Sequence, residues 1–256
     1  MSERKTVLVT GASGSMGSQV LKCVMGTGKF DCVILLRKKR SNEKLREALL
    51  KKYAKIKTAG KLEVLFGDLS NKADCEKVVA KSDYVLHCAA VIPPISDHNP
   101  VGAEKTNYYG AKNLIDAIKE SPRANEIKYV HVGTVAEYGN RTWQHPWGRV
   151  GDPLVPSVYD FYAITKLKAE RYLLEAEIPN WVVLRQSGVL HDNLFKNNMS
   201  DGLMFHTCWN VPIEWATARD SGLALQHLVE YDNDGTLPAD FWQKIYNIGN
   251  GETCRV

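Results

Sequence analysis

Tyr162 and Lys166 stand four residues apart in Phe161-Tyr162-Ala163-Ile164-Thr165-Lys166, a stretch with helical composition, so their side chains share one face. A cation beside a phenol lowers the phenol pKa from about 10, which would make Tyr162 a proton donor or acceptor near neutrality. Spacing alone is a cheap signal. Tyr53 and Lys57 satisfy it too, inside a basic segment with no Ser/Thr strand end before it, and that pair reads as solvated surface. The downstream pair gains weight from a second element far upstream. Thr10-Gly11-Ala12-Ser13-Gly14-Ser15-Met16-Gly17 follows the apolar run Thr6-Val7-Leu8-Val9 and opens a helical stretch, Gln19 to Met25. Strand, glycine turn and helix form the layout of a nucleotide pyrophosphate site. Gly11 permits the tight turn, Gly14 lets backbone N–H groups reach phosphate, and Gly17 allows close helix–strand packing with the helix N-terminus facing the negative charge.

The elements that must position these residues are legible as apolar runs alternating with helical periodicity. Strands are predicted at 5–10, 31–36, 62–66, 83–88, 127–133 and 180–186, and helices at 16–26, 42–58, 72–81, 103–120 and 159–177. Short Val/Ile/Leu-rich strands separated by helices indicate a parallel sheet covered on both faces. Right-handed crossovers then give an α/β, doubly wound (Rossmann) fold with its ligand at the carboxyl ends of the strands. The alternation decays after Arg185. From Gln186 to Val211 the chain is irregular, with His191, Phe195, Met199, Met204, Phe205, His206 and Trp209, and reads as the start of a small C-terminal substrate lobe. A helix at 219–230 and a strand at 244–248 return to the main body. The expected organisation is a dinucleotide-binding domain over 1–186, partly rejoined by 213–250. A lobe over 187–212 and 251–256 stops abruptly after Gly249-Asn250-Gly251-Glu252, as a truncated or reduced lobe would.

A chain of 256 residues suits one α/β domain with an appended lobe. Between Arg37 and Lys61 there are eleven Lys/Arg against two Glu, in a chain whose net charge is +4. Such a stretch can mark a nucleic-acid partner, but much of it is the solvated face of one helix, and no nucleic acid is expected. The six cysteines form no C-x-x-C pair and read as reduced core residues of a cytoplasmic protein. Met1-Ser2-Glu3-Arg4-Lys5 runs into the first strand without a signal peptide, and the apolar run Val85–Ile92 is too short to span a bilayer, so no membrane partner is expected. No His/Asp/Glu grouping has the spacing of metal ligands.

The glycine turn and Tyr-x-x-x-Lys, with the segments between them in order, resemble the extended short-chain dehydrogenase/reductase family over nearly the whole chain. Thr10–Gly17 is similar to its TGxxGxxG motif, and Gly67-Asp68-Leu69 to the loop whose Asp holds the adenine ring. His87-Cys88-Ala89-Ala90 is similar to the strand end beside the cofactor ribose, Asn107-Tyr108-Tyr109-Gly110 to its NxxG, and Val132–Gly139 to the strand that supplies a catalytic Ser/Thr. Leu184-Arg185-Gln186 and Tyr246-Asn247-Ile248-Gly249 occupy its LRP and YNIG positions. The resemblance implies that Thr134 hydrogen-bonds the substrate oxygen, Tyr162 carries the proton, Lys166 holds ribose hydroxyls, and Asn107 anchors a water or a backbone kink behind Lys166. It assigns dinucleotide contacts to Gly11, Ser13, Gly14, Ser15, Met16 and Gly17, to Asp68 and Leu69, to Cys88, Ala89 and Ala90, and to Gln186 and Val189. Tyr159, with no Lys partner, reads as packing or substrate contact.

Relatives that use NAD place an acidic residue at the end of the second strand. Here that end is Leu35-Leu36-Arg37-Lys38, where Arg37 can clamp a 2′-phosphate with help from Ser13 or Lys38, so NADP is favoured over NAD; otherwise Arg37 merely starts the basic helix. Dehydratases of the family resemble one another in Thr-Asp-Glu, whereas Val135 and Ala136 follow Thr134 here. A reductase acting on a carbonyl or secondary alcohol of a small hydrophobic or aromatic substrate is the expectation. A sugar-nucleotide epimerase with bound NAD, a thioester or acyl reductase, and a non-catalytic NADP-binding regulator are the alternatives. The loop 140–160, with Trp143, His145, Trp147, Arg149 and Asp152, is expected either to border the substrate mouth with Val91–Ile95 and Gln186–His191 or to anchor itself to the body. The resemblance also implies a homodimer paired through the helices at 103–120 and 159–177.

Overall fold

Runs of Val, Ile and Leu without polar alternation need cover on both faces, and the chain supplies it from helices before and after each strand. The computed structural model describes residues 4–192, 194, 212–251 and 253–255. Its strands are β1 (Thr6–Thr10), β2 (Asp31–Leu36), β3 (Leu62–Phe66), β4 (Tyr84–His87), β5 (Lys128–Thr134), β6 (Trp181–Gln186), β7 (Gly188–Leu190), β8 (Pro212–Thr217), β9 (Lys244–Ile248) and β10 (Thr253–Arg255). The helices are α1 (Ser15–Thr27), α2 (Arg40–Ala54), α3 (Lys72–Val79), α4 (Ile95–His98), α5 (Pro100–Glu104), α6 (Gly110–Lys119), α7 (Phe161–Glu175) and α8 (Ala218–Asn233). Seven described strands form one sheet in the order β3-β2-β1-β4-β5-β6-β9. Every neighbouring pair in it is parallel. This is the doubly wound α/β sheet expected from the sequence. A smaller sheet, β10-β8-β7, lies beyond β6, and β9 returns the chain to the main sheet.

Strand periodicity divides the core into two layers. Val7, Val9, Cys32 and Ile34 turn toward α1 and α8, where they meet Val20, Leu21, Leu225 and Val229. Leu8, Val33 and Val85 turn the other way, onto Cys75 of α3, Leu114 and Ile115 of α6, and Leu173 of α7. Each fully buried aliphatic side chain contributes about 1.5–3 kcal/mol. A buried carboxylate ties α8 to the sheet: Asp232 accepts from Tyr84 Oη at 2.6 Å and Trp242 Nε1 at 3.0 Å and pairs with Lys128. No helix among the described residues is long and apolar enough to cross a membrane, and none of their His, Cys, Asp and Glu side chains cluster as metal ligands.

Two elements depart from expectation. The helix predicted over 103–120 is broken into α5, a π-helical turn at Lys105–Tyr109, and α6, with Gly110 N–H bonded back to the Lys105 carbonyl. The basic helix predicted over 42–58 begins two residues earlier and ends at Ala54, because the first three residues of its basic run, Arg37–Lys39, form a turn before it. Tyr53, expected on the solvated face, is 7% exposed and belongs to the core, where it packs under α2. Its apparent partner Lys57 lies beyond the helix end and is exposed.

Candidate active site

The strand order reverses between β1 and β4, and a cleft of about 630 Å³ opens there above the carboxyl ends of the strands. Its floor at one end is the turn from β1 to α1. Gly11 has φ +71°, and a Cβ there would stand 2.8 Å from the Ala89 backbone. A Cβ on Gly17 would overlap the Gly11 carbonyl, so both positions demand glycine. Helix α1 has Gly14 as its N-cap and no side-chain cap, which leaves its first N–H groups directed at the cleft that Ser13, Ser15 and Met16 also line. Thr10 Oγ1 accepts from Ala89 N at 3.1 Å and ties the β1 end to the β4 end. Cys88, Ala89 and Ala90 line the cleft beside it, as do Asp68 and Leu69, and Gln186 and Val189 at the far end.

Arg37 lines the cleft at the end of β2, exposed, with its carbonyl held by Asn42 Nδ2 at 2.7 Å. Asn42 itself is 5% exposed, a buried polar residue inside a basic surface helix that sequence reasoning passed over. Lys38 is exposed and stands outside the cleft lining, so it does not join Arg37 as expected. The glycine cradle, the uncapped helix N-terminus and the cleft length fit a dinucleotide lying across the sheet.

At the other end, Thr134 and Tyr162 face the same cleft. Thr134 caps a short 3₁₀ turn, Val135–Tyr138: Ala136 N donates to Thr134 Oγ1 at 3.2 Å, and Thr134 N donates to Glu137 Oε1 at 3.2 Å. Asp160 caps α7 by accepting from Ala163 N at 2.9 Å, which aims the first turn, and Tyr162 with it, into the cleft. The phenol proton affinity contradicts the sequence expectation. Burial pushes the Tyr162 pKa up to about 12; Thr134 beside it pulls it down, and Glu137 and Asp160 add to the rise. Lys166 is not among the groups that shift it; its amine meets His131 instead.

Lys166 is 1% exposed and sits beneath the cleft floor, with Nζ 3.3 Å from His131 Nε2. Burial holds its pKa down, at about 8, against the pull of Glu137, Cys88 and Glu170. Asn107, expected to anchor a water or a backbone kink behind Lys166, lies in the π turn at Lys105–Tyr109. Its Oδ1 accepts from Val91 N at 2.7 Å, and its Nδ2 donates to the Val91 carbonyl and to Thr165 Oγ1, both at 3.0 Å. It clamps the cleft wall to α7 at Thr165, the residue before Lys166, and the π turn is what brings it inward.

Beneath Thr134 lies a charged cluster the sequence reading did not assemble. Arg185 reaches Glu170 with two nitrogens, at 3.1 and 2.5 Å, and Tyr138 Oη at 2.8 Å. Glu137, fully buried, is raised to about 9 by burial and by Glu170 beside it, against the pull of Lys166 and of Arg185, whose Nε stands 3.8 Å from Oε2. The Thr134-x-x-Glu137 spacing is a capping-box signature and the one local signal for this placement. Cys75 and Cys88 thiols are pushed up to about 12 by burial, as suits reduced, unreactive cysteines.

The expected substrate mouth is partly redrawn. Val91, Ile92 and Pro93 line the cleft, as do His191 and Leu194, but among the described lining residues none comes from the loop 140–160. That loop is stapled to itself by Arg141–Asp152 at 2.7 Å and to the body by Asn247 Nδ2 donating to the Gly148 carbonyl, with Trp143 73% exposed. Tyr159, 84% exposed, is neither packed nor in the cleft lining. Trp215 of β8 supplies an unanticipated ring, packed over Gly188. Phe195, Met199, Met204, Phe205, His206 and Trp209 lie outside the described residues.

A nucleotide cradle at a strand-order reversal, with a threonine and a tyrosine across the same cleft, defines a dinucleotide-dependent class of protein. Residues 7–185 match the model of the NAD dependent epimerase/dehydratase family, and the chain belongs to that family. It is 30% identical over 122 residues to a UDP-N-acetylglucosamine 4,6-dehydratase (inverting) of Campylobacter jejuni, covering 47% of this chain and 34% of the relative. It is 30% identical over 118 residues to a UDP-glucose 4-epimerase of Rickettsia conorii, covering 44% and 32%. These matches span about a third of the curated relatives' length. Among solved structures, dTDP-glucose 4,6-dehydratase of Bacillus anthracis, in complex with NAD, shares the fold at TM-score 0.72 and 18% identity, over 98% of this chain and 77% of that one.

Proposed function

We propose that the protein is a nicotinamide-dinucleotide-dependent oxidoreductase interconverting a carbonyl and a secondary alcohol, with NADP(H) as the dinucleotide. The observation that carries the reading is that Thr134 and Tyr162 line the same cleft as the Gly11–Gly17 turn. When bound, the dinucleotide supplies the two-electron chemistry. The turn and the α1 N-terminus hold its pyrophosphate, Asp68 and Leu69 the adenine side, and Cys88, Ala89, Ala90, Gln186 and Val189 the remaining length. Thr134 orients the substrate oxygen. Tyr162 delivers its proton there, and a phenol raised to about 12 is fully protonated at neutral pH, which supports the reducing direction. Lys166 approaches the ribose from below the floor.

Arg37, exposed where an acidic residue would accept ribose hydroxyls, supports NADP over NAD. Val135 and Ala136 follow Thr134 and carry no acid or base, which argues against dehydration. Ile92, Pro93, Val135 and Trp215 give the substrate end an apolar wall suited to a flat or hydrophobic compound. A second reading, sugar-nucleotide epimerisation with NAD, has the support of the named relatives. Copies of the chain are proposed to pair through exposed Val101, Tyr109 and Leu174 on the α5–α7 side, which sedimentation would test.

The deciding experiment is titration of the purified chain with NADPH and NADH. NADPH consumption with a panel of ketones and aldehydes follows, and UDP-glucose is assayed for epimerisation. Tighter NADPH binding with carbonyl turnover is expected. Equal affinities together with epimerised sugar would overturn the reading.

A further inference from the structure

His131 is out of place in its strand. Its neighbours in β5, Val130 and Val132, are apolar and buried, and His131 itself is fully buried at the centre of the parallel sheet. A buried imidazole needs a partner at each nitrogen, and both are met: Nε2 lies 3.3 Å from Lys166 Nζ, and Nδ1 lies 3.3 Å from Tyr129 Oη. An ammonium group only donates, so Nε2 is the acceptor and Nδ1 carries the hydrogen, donated to Tyr129. Burial and the Lys166 charge hold the ring neutral, the state this arrangement requires.

We propose that His131 is a positioning residue for Lys166: its Nε2 seats the amine beneath the cleft floor and keeps it protonated until the dinucleotide enters. The proposal rests on the reading of Lys166 as a dinucleotide-holding group. Glu137, Cys88 and Glu170 pull on the amine, but among the described hydrogen bonds its one partner is His131 Nε2. Cys88, just past β4, is a buried thiol, and Glu137, in the 3₁₀ turn, has its Oε1 engaged by the Thr134 N–H at 3.2 Å and its Oε2 3.8 Å from Arg185 Nε. Glu170, on α7, is committed to Arg185 of β6 through two hydrogen bonds. His87, on β4, is lowered to about 3 by burial and by Lys166, and its Nδ1 is paired with Thr10 Oγ1 at 2.9 Å. Tyr129 and His87 flank His131 at ring-contact distance and complete its surroundings. An amine whose pKa lies at about 8 is poised so that loss of one acceptor leaves it partly deprotonated at neutrality.

Two measurements test this. In the dinucleotide-free protein, imidazole ¹⁵N NMR should show His131 as a single neutral tautomer with Nε2 unprotonated from pH 5 to 8, and Lys166→Met should shift the Nε2 resonance. An Nε2-protonated ring, or no shift in Lys166→Met, overturns the proposal. The second measurement is NADPH affinity between pH 6 and 9.5 in wild type, His131→Phe and His131→Gln. Wild-type affinity should decline above about pH 8. In His131→Phe the decline should begin about one pH unit lower, leaving affinity about fivefold weaker at pH 8, and His131→Gln, which keeps an acceptor, should restore the wild-type profile. Superimposable wild-type and His131→Phe profiles also overturn it. A wild-type chain that binds no NADPH defeats the proposed function, while the NMR experiment still decides the role of His131. Should His131→Phe fail to fold, the NMR result and the His131→Gln profile decide.

Discussion

Tyr162 holds its proton because partial burial disfavours the phenolate, and Thr134 is the one neighbour that lowers the phenol pKa. Tyr162→Phe removes the proton donor without changing the ring that shapes the cleft. Turnover of a carbonyl substrate should fall by about 100- to 10,000-fold, with the NADPH dissociation constant within about twofold of wild type. A comparable loss of NADPH binding would mean that the ring serves the dinucleotide and not the proton. Glu137 offers a residue-scale test through stability. Its folded pKa, about 9, exceeds the unfolded carboxyl value of about 4.3, so above the latter the folded state binds more protons than the unfolded one. Its contribution is therefore present below about pH 4.3 and is lost progressively as pH rises toward 9, with a slope of at most about 1.4 kcal/mol per pH unit. Glu137→Gln keeps an oxygen for the Thr134 N–H and removes the titration. Denaturation between pH 5 and 8, below the window where Lys166 contributes, should show wild type losing stability with pH more steeply than the variant. Parallel curves would mean that Glu137 is ionised in the folded protein.

At the scale of elements, helix α1 carries its own control. Gly17 touches the Gly11 carbonyl so closely that a methyl group cannot enter, whereas at Gly26, nine residues on in the same helix, a Cβ would meet nothing within 4 Å. Gly26→Ala should stabilise the chain by about 0.5–1 kcal/mol through the unfolded state and helix propensity. Gly17→Ala should destabilise it by about 1–3 kcal/mol and abolish dinucleotide binding, because overlap with the turn is relieved only by moving α1 off β1. Denaturation midpoints of the two variants, with NADPH titration, check the pair; equal effects would mean that the turn is slack. Asn107 makes a similar case for the π turn. Asn107→Ala strands the Val91 backbone N–H and carbonyl, which should cost about 2–4 kcal/mol and loosen the Val91–Pro93 wall.

At the scale of the whole molecule, the main sheet was legible because its inner strands are buried on both faces and carry apolar runs such as Val7-Leu8-Val9 and Val182-Val183-Leu184. The cradle was legible because Gly11 and Gly17 are demanded by contacts within one turn. What escaped was set by contacts far along the chain. Lys166 meets His131 across 35 residues, and Trp215 enters the cleft from β8 with no periodic signal. Adjacency of Tyr162 and Lys166 on a helix is a local property, but the burial that sets their proton affinities belongs to the assembled layers.

The same long reach makes the sheet respond as a unit when its cleft is filled. The carboxyl ends of β1, β2, β4, β5 and β6 all border the cleft, so a dinucleotide lying across it bridges both halves of the reversal. A ligand at 100 times its dissociation constant stabilises the folded state by about 2.7 kcal/mol. For a chain of this size that corresponds to a Tm rise of roughly 5–10 °C. NADPH should produce such a rise in wild type, and NADH at equal concentration a smaller one, because Arg37 meets the 2′-phosphate. Arg37→Asp reverses that charge at an exposed position whose backbone stays held by Asn42, so the free protein should melt where wild type does. The NADPH-induced rise should then shrink below that with NADH. An unchanged NADPH shift in Arg37→Asp would remove Arg37 from the site and leave NAD as the better-supported cofactor.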